Sequence, residues 1–158
     1  MRSSEFMKAM PEAVRPHLPP ALRDFRWHAR SWLVQLYFGH PRVHYEVWRL
    51  PRRNLLELGL HFEHRDRRVN ARLLEHFDAC AIAIKAELAD QVEVEPWDKG
   101  WAKVYLTLPL EPFEPPYLES VALQLARMIV VLQPLLEAAL GYTSIRPVRG
   151  GQASPEPE

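Results

Sequence analysis

The stretch VHYEVWRLPRRNLLELGLHFEH, residues 43–64, decides the fold. Side chains on a strand alternate between faces with period two. Val43, Tyr45 and Val47 therefore share one face of a first arm, and Leu56, Leu58, Leu60 and Phe62 share the matching face of a second. The opposite face carries His44, Glu46 and Trp48 from the first arm, with Glu57, Gly59, His61 and Glu63 from the second. Pro51-Arg52-Arg53-Asn54 supplies the turn. Both apolar sets must meet one core, and the turn favours Leu50 opposite Leu55. His44 is then expected opposite His61, Glu46 opposite Gly59, and Trp48 opposite Glu57. A one-residue slip would send an apolar set into solvent, so the register is strongly specified.

The polar face of this hairpin gathers the residue types that carry chemistry. Two opposed histidines flanked by carboxylates are ligand types that zinc, manganese or iron accept, which makes His44 and His61 candidate metal ligands. Glu46 and Glu57 are the candidate catalytic pair, one as acid and one as base, if Trp48 desolvates them. Trp48, Gly59 and Glu63 are candidate ligand-binding residues. An aromatic side chain among polar positions marks binding surfaces, and a strand glycine leaves room for a ligand to approach. Trp97 and Trp101, which flank a later turn, would complete a tryptophan-lined groove. The same pattern also describes a solvated sheet face held by cross-strand pairs. No metal motif of fixed spacing, such as HExxH, decides between the two readings.

Working outward, Leu22, Phe25, Ala29, Trp32, Leu33 and Leu36 fit one helical stripe before Gly39 and Pro41, so a helix is expected ahead of the hairpin. Asp66 is a candidate N-cap for a second helix over residues 67–89, with Val69, Leu73, Phe77, Cys80, Ala81, Ile84 and Leu88 on its buried side. A second hairpin follows around Asp98-Lys99-Gly100. Val104, Leu106 and Leu108 line one face of its return arm, and Lys103, Tyr105 and Thr107 the other. A last helix spans residues 116–140, with Pro134 expected to kink or break it near Val130 and Gly141 closing it. These elements predict a single α+β domain of order α-ββ-α-ββ-α. It would be a four-stranded, mostly antiparallel sheet with helices packed on one face and the polar face open. Residues 1–17 read as an N-terminal extension whose first six, MRSSEF, resemble a cloning scar. The domain is expected over residues 18–143, and residues 144–158, rich in Pro, Gly and Glu, as a disordered tail.

Composition bounds the function classes. At 158 residues and 47% hydrophobic, the chain can bury a substantial core. Twenty basic and twenty acidic residues cancel, so nucleic acid is not an expected partner, and neither is an anionic membrane. The single cysteine, Cys80, excludes an intrachain disulfide and a cysteine-rich zinc site, and cytoplasmic residence follows as the expectation. No uninterrupted apolar run reaches the ~20 residues that span a bilayer. No GxSxG, phosphate loop or dinucleotide fingerprint is present. The leading expectation is a non-catalytic interaction or binding module. A homodimer would form through the open sheet face or through the last helix, whose Ile129-Val130-Val131-Leu132 stretch is too wide an apolar surface for one-sided burial. The alternative is a metal-dependent hydrolase or metal-binding protein, with a divalent metal on the His/Glu face. The third is a small-molecule binder that uses the tryptophan-lined groove.

Overall fold

The hairpin forms in the expected register. In the computed structural model, which describes residues 1–141, β3 (Val43–Leu50) pairs antiparallel with β4 (Leu55–Phe62). His44 faces His61, Glu46 faces Gly59, Trp48 faces Glu57, and Leu50 faces Leu55. Pro51–Arg53 make a single 3-10 turn, and Asn54 closes it in the left-handed region at φ 53°, which asparagine tolerates better than most residues. The tail expected over residues 144–158 lies outside the described residues.

The architecture is α+β, with a larger sheet than the pattern suggested. Among the described residues, α1 (Ser3–Val14) precedes β1 (Arg26–Ala29), β2 (Leu33–Tyr37), β3 and β4. Then come α2 (Arg67–Ala79), α3 (Ala81–Glu87), β5 (Glu93–Trp97), β6 (Trp101–Pro109) and α4 (Pro115–Leu140). The sheet has six strands, not four, in the order β1-β2-β3-β4-β6-β5, and every neighbouring pair is antiparallel. The difference lies in residues 20–37, where a 3-10 turn at Pro20–Leu22 and the strands β1 and β2 replace the expected helix. Val34 and Leu36 alternate with Leu33, Gln35 and Tyr37, and pairing with β3 fixes that short period-two pattern. Two members of the supposed helical stripe separate in space. Leu36 is buried, whereas Trp32 is exposed.

The segment read as an N-terminal extension is part of the core. Phe6, Met7, Met10 and Val14 on α1 are fully buried. The Phe6 ring lies 4.4 Å from Phe113 and 5.7 Å from Tyr117, so α1 is packed against the start of α4. The expected single helix over residues 67–89 is two helices that meet at Cys80, which has φ −96° and ψ 2°. Asp66 does cap α2, accepting the Arg68 backbone N–H at 3.0 Å.

Helix α4 runs unbroken from Pro115 to Leu140 with Pro134 inside it, and Gly141 ends it at φ 70°. By length and composition this helix is sufficient to cross a bilayer, although polar residues interrupt its apolar run. Here it is a core element. Its buried side spans Tyr117, Val121, Leu125, Ile129, Leu132 and Leu136, together with the buried polar pair Gln133 and Glu137. The Tyr45 hydroxyl donates to Gln133 Oε1 at 3.0 Å, and the Gln133 amide donates to Glu137 at 3.2 Å, which seats α4 on the apolar face of the sheet. The wide apolar surface that suggested an interface is therefore largely used within the chain. On the same face, the Phe77 ring of α2 lies 5.2 Å from Phe62 of β4, tilted by 36°.

Candidate metal centre

The sheet order brings four strands to the polar face of the hairpin. Strand β2 sets Gln35 beside Glu46, and β6 sets Lys103 beside His61 and Tyr105 beside Gly59. All of these side chains point the same way because cross-strand neighbours share a face. The face is not open. His44, Glu46, Glu57, His61 and Lys103 are all buried, which corrects the expectation of an exposed sheet surface. Aromatic rings close over them. Trp97 meets His61 edge-on at 5.6 Å and sits 6.2 Å from Trp48, and the Lys103 ammonium lies 4.1 Å from the centre of the Tyr105 ring.

Four donors converge at the centre of this face. His44 Nε2 is 3.4 Å from Glu46 Oε1 and 3.7 Å from Glu63 Oε2. His61 Nδ1 is 3.6 Å from Glu46 Oε2 and 3.0 Å from Glu63 Oε2. One ligand atom from each of the four residues lies within 4.8 Å of all the others. A tetrahedral ion with bonds of about 2.0–2.2 Å places its donors about 3.3–3.6 Å apart, so the His–Glu separations are near that geometry and the widest pair would have to close around an ion.

The outer contacts fix which nitrogen of each imidazole faces inward. His44 Nδ1 donates to the Pro41 carbonyl at 2.9 Å, leaving Nε2 toward the centre. His61 Nε2 donates to Glu57 at 3.1 Å, leaving Nδ1 toward the centre, and Glu57 is held in turn by the Lys103 ammonium at 2.7 Å. The Gln35 amide donates to Glu46 at 2.8 Å. A carboxylate or carbonyl on the outer nitrogen is the usual companion of a metal-bound histidine, and here both histidines have one. One atom is left over: His44 Nε2 is buried and makes no hydrogen bond among the described residues.

Electrostatics point the same way. Burial on its own would raise the Glu46 carboxyl, but His44, His61 and the Gln35 amide outweigh it and hold it below the ordinary carboxylate range. Glu57 is likewise lowered, with burial opposed by hydrogen bonds from His61 and Lys103. Burial disfavours charge on His61, yet hydrogen bonds to Glu57 and Glu63 and the charge of Glu46 raise it to about 9. The carboxylates around His61 thus favour positive charge on its side of the cluster.

The candidate residues read from the sequence are sorted by this geometry. His44, His61, Glu46 and Glu63 come together. Glu57, read there as a catalytic partner of Glu46, stands behind His61 instead, bonded to its outer nitrogen. Trp48 is part of the aromatic cover. Gly59 leaves no vacancy: a Cβ there would sit 2.8 Å from the Tyr105 Cβ and 2.9 Å from the Val104 carbonyl oxygen. Because one of these obstacles is backbone, Gly59→Ala is expected to cost about 1–3 kcal/mol, read as a lowered urea midpoint. An unchanged midpoint would mean that β6 can retreat. Trp97 and Trp101 line a cavity of about 250 Å³ with Arg67, Asn70, Leu74 and Pro96, and neither Trp48 nor Gly59 reaches it.

Sequence reading did not assign roles to Gln35, the Pro41 carbonyl or Lys103. Alternation in the second hairpin does place Lys103 on the face opposite the apolar one. Its proximity to Glu57 depends on β6 lying next to β4, which is a matter of topology. Gln35 was hidden by the helical reading of its segment. The chain matches no protein-family model, no curated protein and no solved structure.

Proposed function

We propose that this protein binds one divalent transition-metal ion through His44, Glu46, His61 and Glu63. The observation that carries this reading is the buried His44 Nε2. With Nδ1 donating to Pro41, the neutral ring directs a lone pair toward two carboxylates. A proton on Nε2 would relieve this only in part, because Glu46 Oε1 at 3.4 Å and Glu63 Oε2 at 3.7 Å lie beyond ordinary hydrogen-bond lengths. A metal ion between the three groups does relieve it. Charge supports the same valence. Glu46, Glu57 and Glu63 against Lys103 leave two negative charges, which a divalent ion cancels. Mixed imidazole and carboxylate donors suit Zn(II), Mn(II) or Fe(II) rather than the all-oxygen ions Mg(II) and Ca(II).

The ion is not a staple for the fold. Its four ligands lie on or directly beside two strands already joined in one ladder, and the opposite face of the sheet has a complete hydrophobic core. Metal therefore stabilises the protein only by mass action on a preformed site. This reading is preferred to an interaction module because the face that such a module needed open is buried, and the apolar breadth of α4 is largely used internally.

The test is a competition titration of chelator-stripped protein with Zn(II) against a chromophoric chelator. One equivalent per chain is expected. Glu57→Gln, which weakens the support behind His61 and takes the carboxylate partner from Lys103, should weaken affinity about 10–100-fold, and His44→Ala should weaken it further. No uptake, or uptake unchanged in His44→Ala, would overturn the proposal.

A further inference from the structure

We infer that Glu63 is the exchangeable ligand of this metal and that a small oxyanion, a carboxylate or a phosphate, takes its coordination position. The inference rests on the metal-binding reading above. Among the four ligands Glu63 is the most exposed: its side chain retains 14% accessibility, against 0%, 3% and 6% for His61, His44 and Glu46. It is also the least anchored. Glu46 is held by the Gln35 amide, and both histidines are held from behind, whereas among the described residues the Glu63 carboxylate contacts only the two inward imidazole nitrogens. Glu63 lies one residue past the end of β4, and its backbone rather than its carboxylate is tied down. Its N–H donates to the Arg42 carbonyl at 2.8 Å, and its carbonyl accepts from the Arg42 guanidinium at 3.2 Å. The carboxylate can therefore leave while the chain stays in place.

The backbone around Glu63 is bordered by donors. Arg42 spends one guanidinium nitrogen on the Glu63 carbonyl and has other N–H groups available. Arg65 follows two residues later. The rings of His40 and His64 sit 4.8 Å apart, and each accepts a backbone N–H at Nδ1, from Arg42 at 3.1 Å and from Asp66 at 3.0 Å. Each neutral ring therefore carries its proton on Nε2. The two rings are consequently hydrogen-bond donors rather than a second metal site. The nearby carboxylate of Asp66 is paired with Arg68 at 3.1 Å. Asn70 keeps this corner rigid by bonding both the N–H and the carbonyl of His64 at 2.9 Å. With Glu63 the most exposed of the four ligands and the Arg42 guanidinium already at its backbone carbonyl, an oxyanion arriving at the Glu63 position would meet a cationic donor. The exchange would conserve charge, one anion taking the place of another, with the Arg42 guanidinium near enough to pair with the Glu63 carboxylate once it is displaced.

The test uses the full chain loaded with Co(II), whose visible absorption reports its ligands. Inorganic phosphate and acetate are titrated separately, and retained metal is measured after each series. A saturable spectral change at constant metal content is expected with at least one of the two, and which anion gives it identifies the oxyanion class. Arg42→Ala should raise the half-saturating concentration about tenfold, the loss of one charge-assisted contact, while Co(II) affinity changes little. Glu63→Gln should bind Co(II) more weakly than the wild type and, at saturating Co(II), bind the anion more tightly. A Co(II) spectrum indifferent to both anions, in the wild type and in Glu63→Gln, would overturn this inference and leave the metal reading standing. Failure of the wild type to give any ligand-field spectrum with Co(II) would overturn both.

Discussion

Replacing His61 with alanine is expected to abolish metal uptake and to destabilise the protein by about 3–5 kcal/mol even in excess chelator. The two effects have separate causes. His61 Nδ1 is one of four converging donors, and a site that keeps only three loses both affinity and geometry. Independently, His61 is fully buried among Glu46, Glu57 and Glu63, and its removal leaves three carboxylates facing the single ammonium of Lys103. Breaking a buried ionic network by removing the cationic partner is costly because the remaining charges stay out of water. The measurement is urea denaturation with chelator present, alongside metal content. His44→Ala separates the contributions: its outer nitrogen bonds only the Pro41 carbonyl, so it should lose metal with a smaller loss of stability. Equal destabilisation by the two substitutions would mean that His61 is not the charge anchor of the cluster.

Phe6→Ala is expected to cost about 3–5 kcal/mol, as large as any core truncation in this chain. The side chain is fully buried and packs on Phe113 and Tyr117, so alanine leaves a cavity between α1 and the start of α4. Removing residues 1–14 should go further, because Met7, Met10 and Val14 leave with it and the face of α4 that they cover meets water. Loss of the cooperative urea transition in the truncated chain is the expected result. A transition retained at the full-length midpoint would show that α1 is an appendage after all.

How far the sequence can be read depends on how local the deciding physics is. The β3–β4 register was fully legible, since period-two alternation on both arms and a four-residue turn leave one solution. The Asp66 cap and the second hairpin were legible for the same reason. Residues 20–37 were not. Phe25, Ala29, Trp32 and Leu36 recur at helical spacing, and the alternation around Val34 and Leu36 covers too few residues to outweigh it until β3 lies alongside. Phe6, Met7, Met10 and Val14 also carry helical spacing, but they lie in a segment set aside on composition alone. The ligand types of the site were visible as a face of histidines and glutamates. Their burial was not, because Trp97, Lys103 and Tyr105 reach that face only through the placement of β5 and β6 beside β4.

The central claim, that two imidazoles and two carboxylates share one ion, is tested most directly by X-ray absorption at the zinc edge on the stoichiometric Zn(II) protein. The expected first shell has two imidazole nitrogens and oxygen donors at about 2.0–2.2 Å, with the imidazole outer-shell scattering halved in His44→Ala reconstituted at high Zn(II). A first shell of oxygen alone, or a spectrum that His44→Ala leaves unchanged, would place the metal elsewhere and contradict the account.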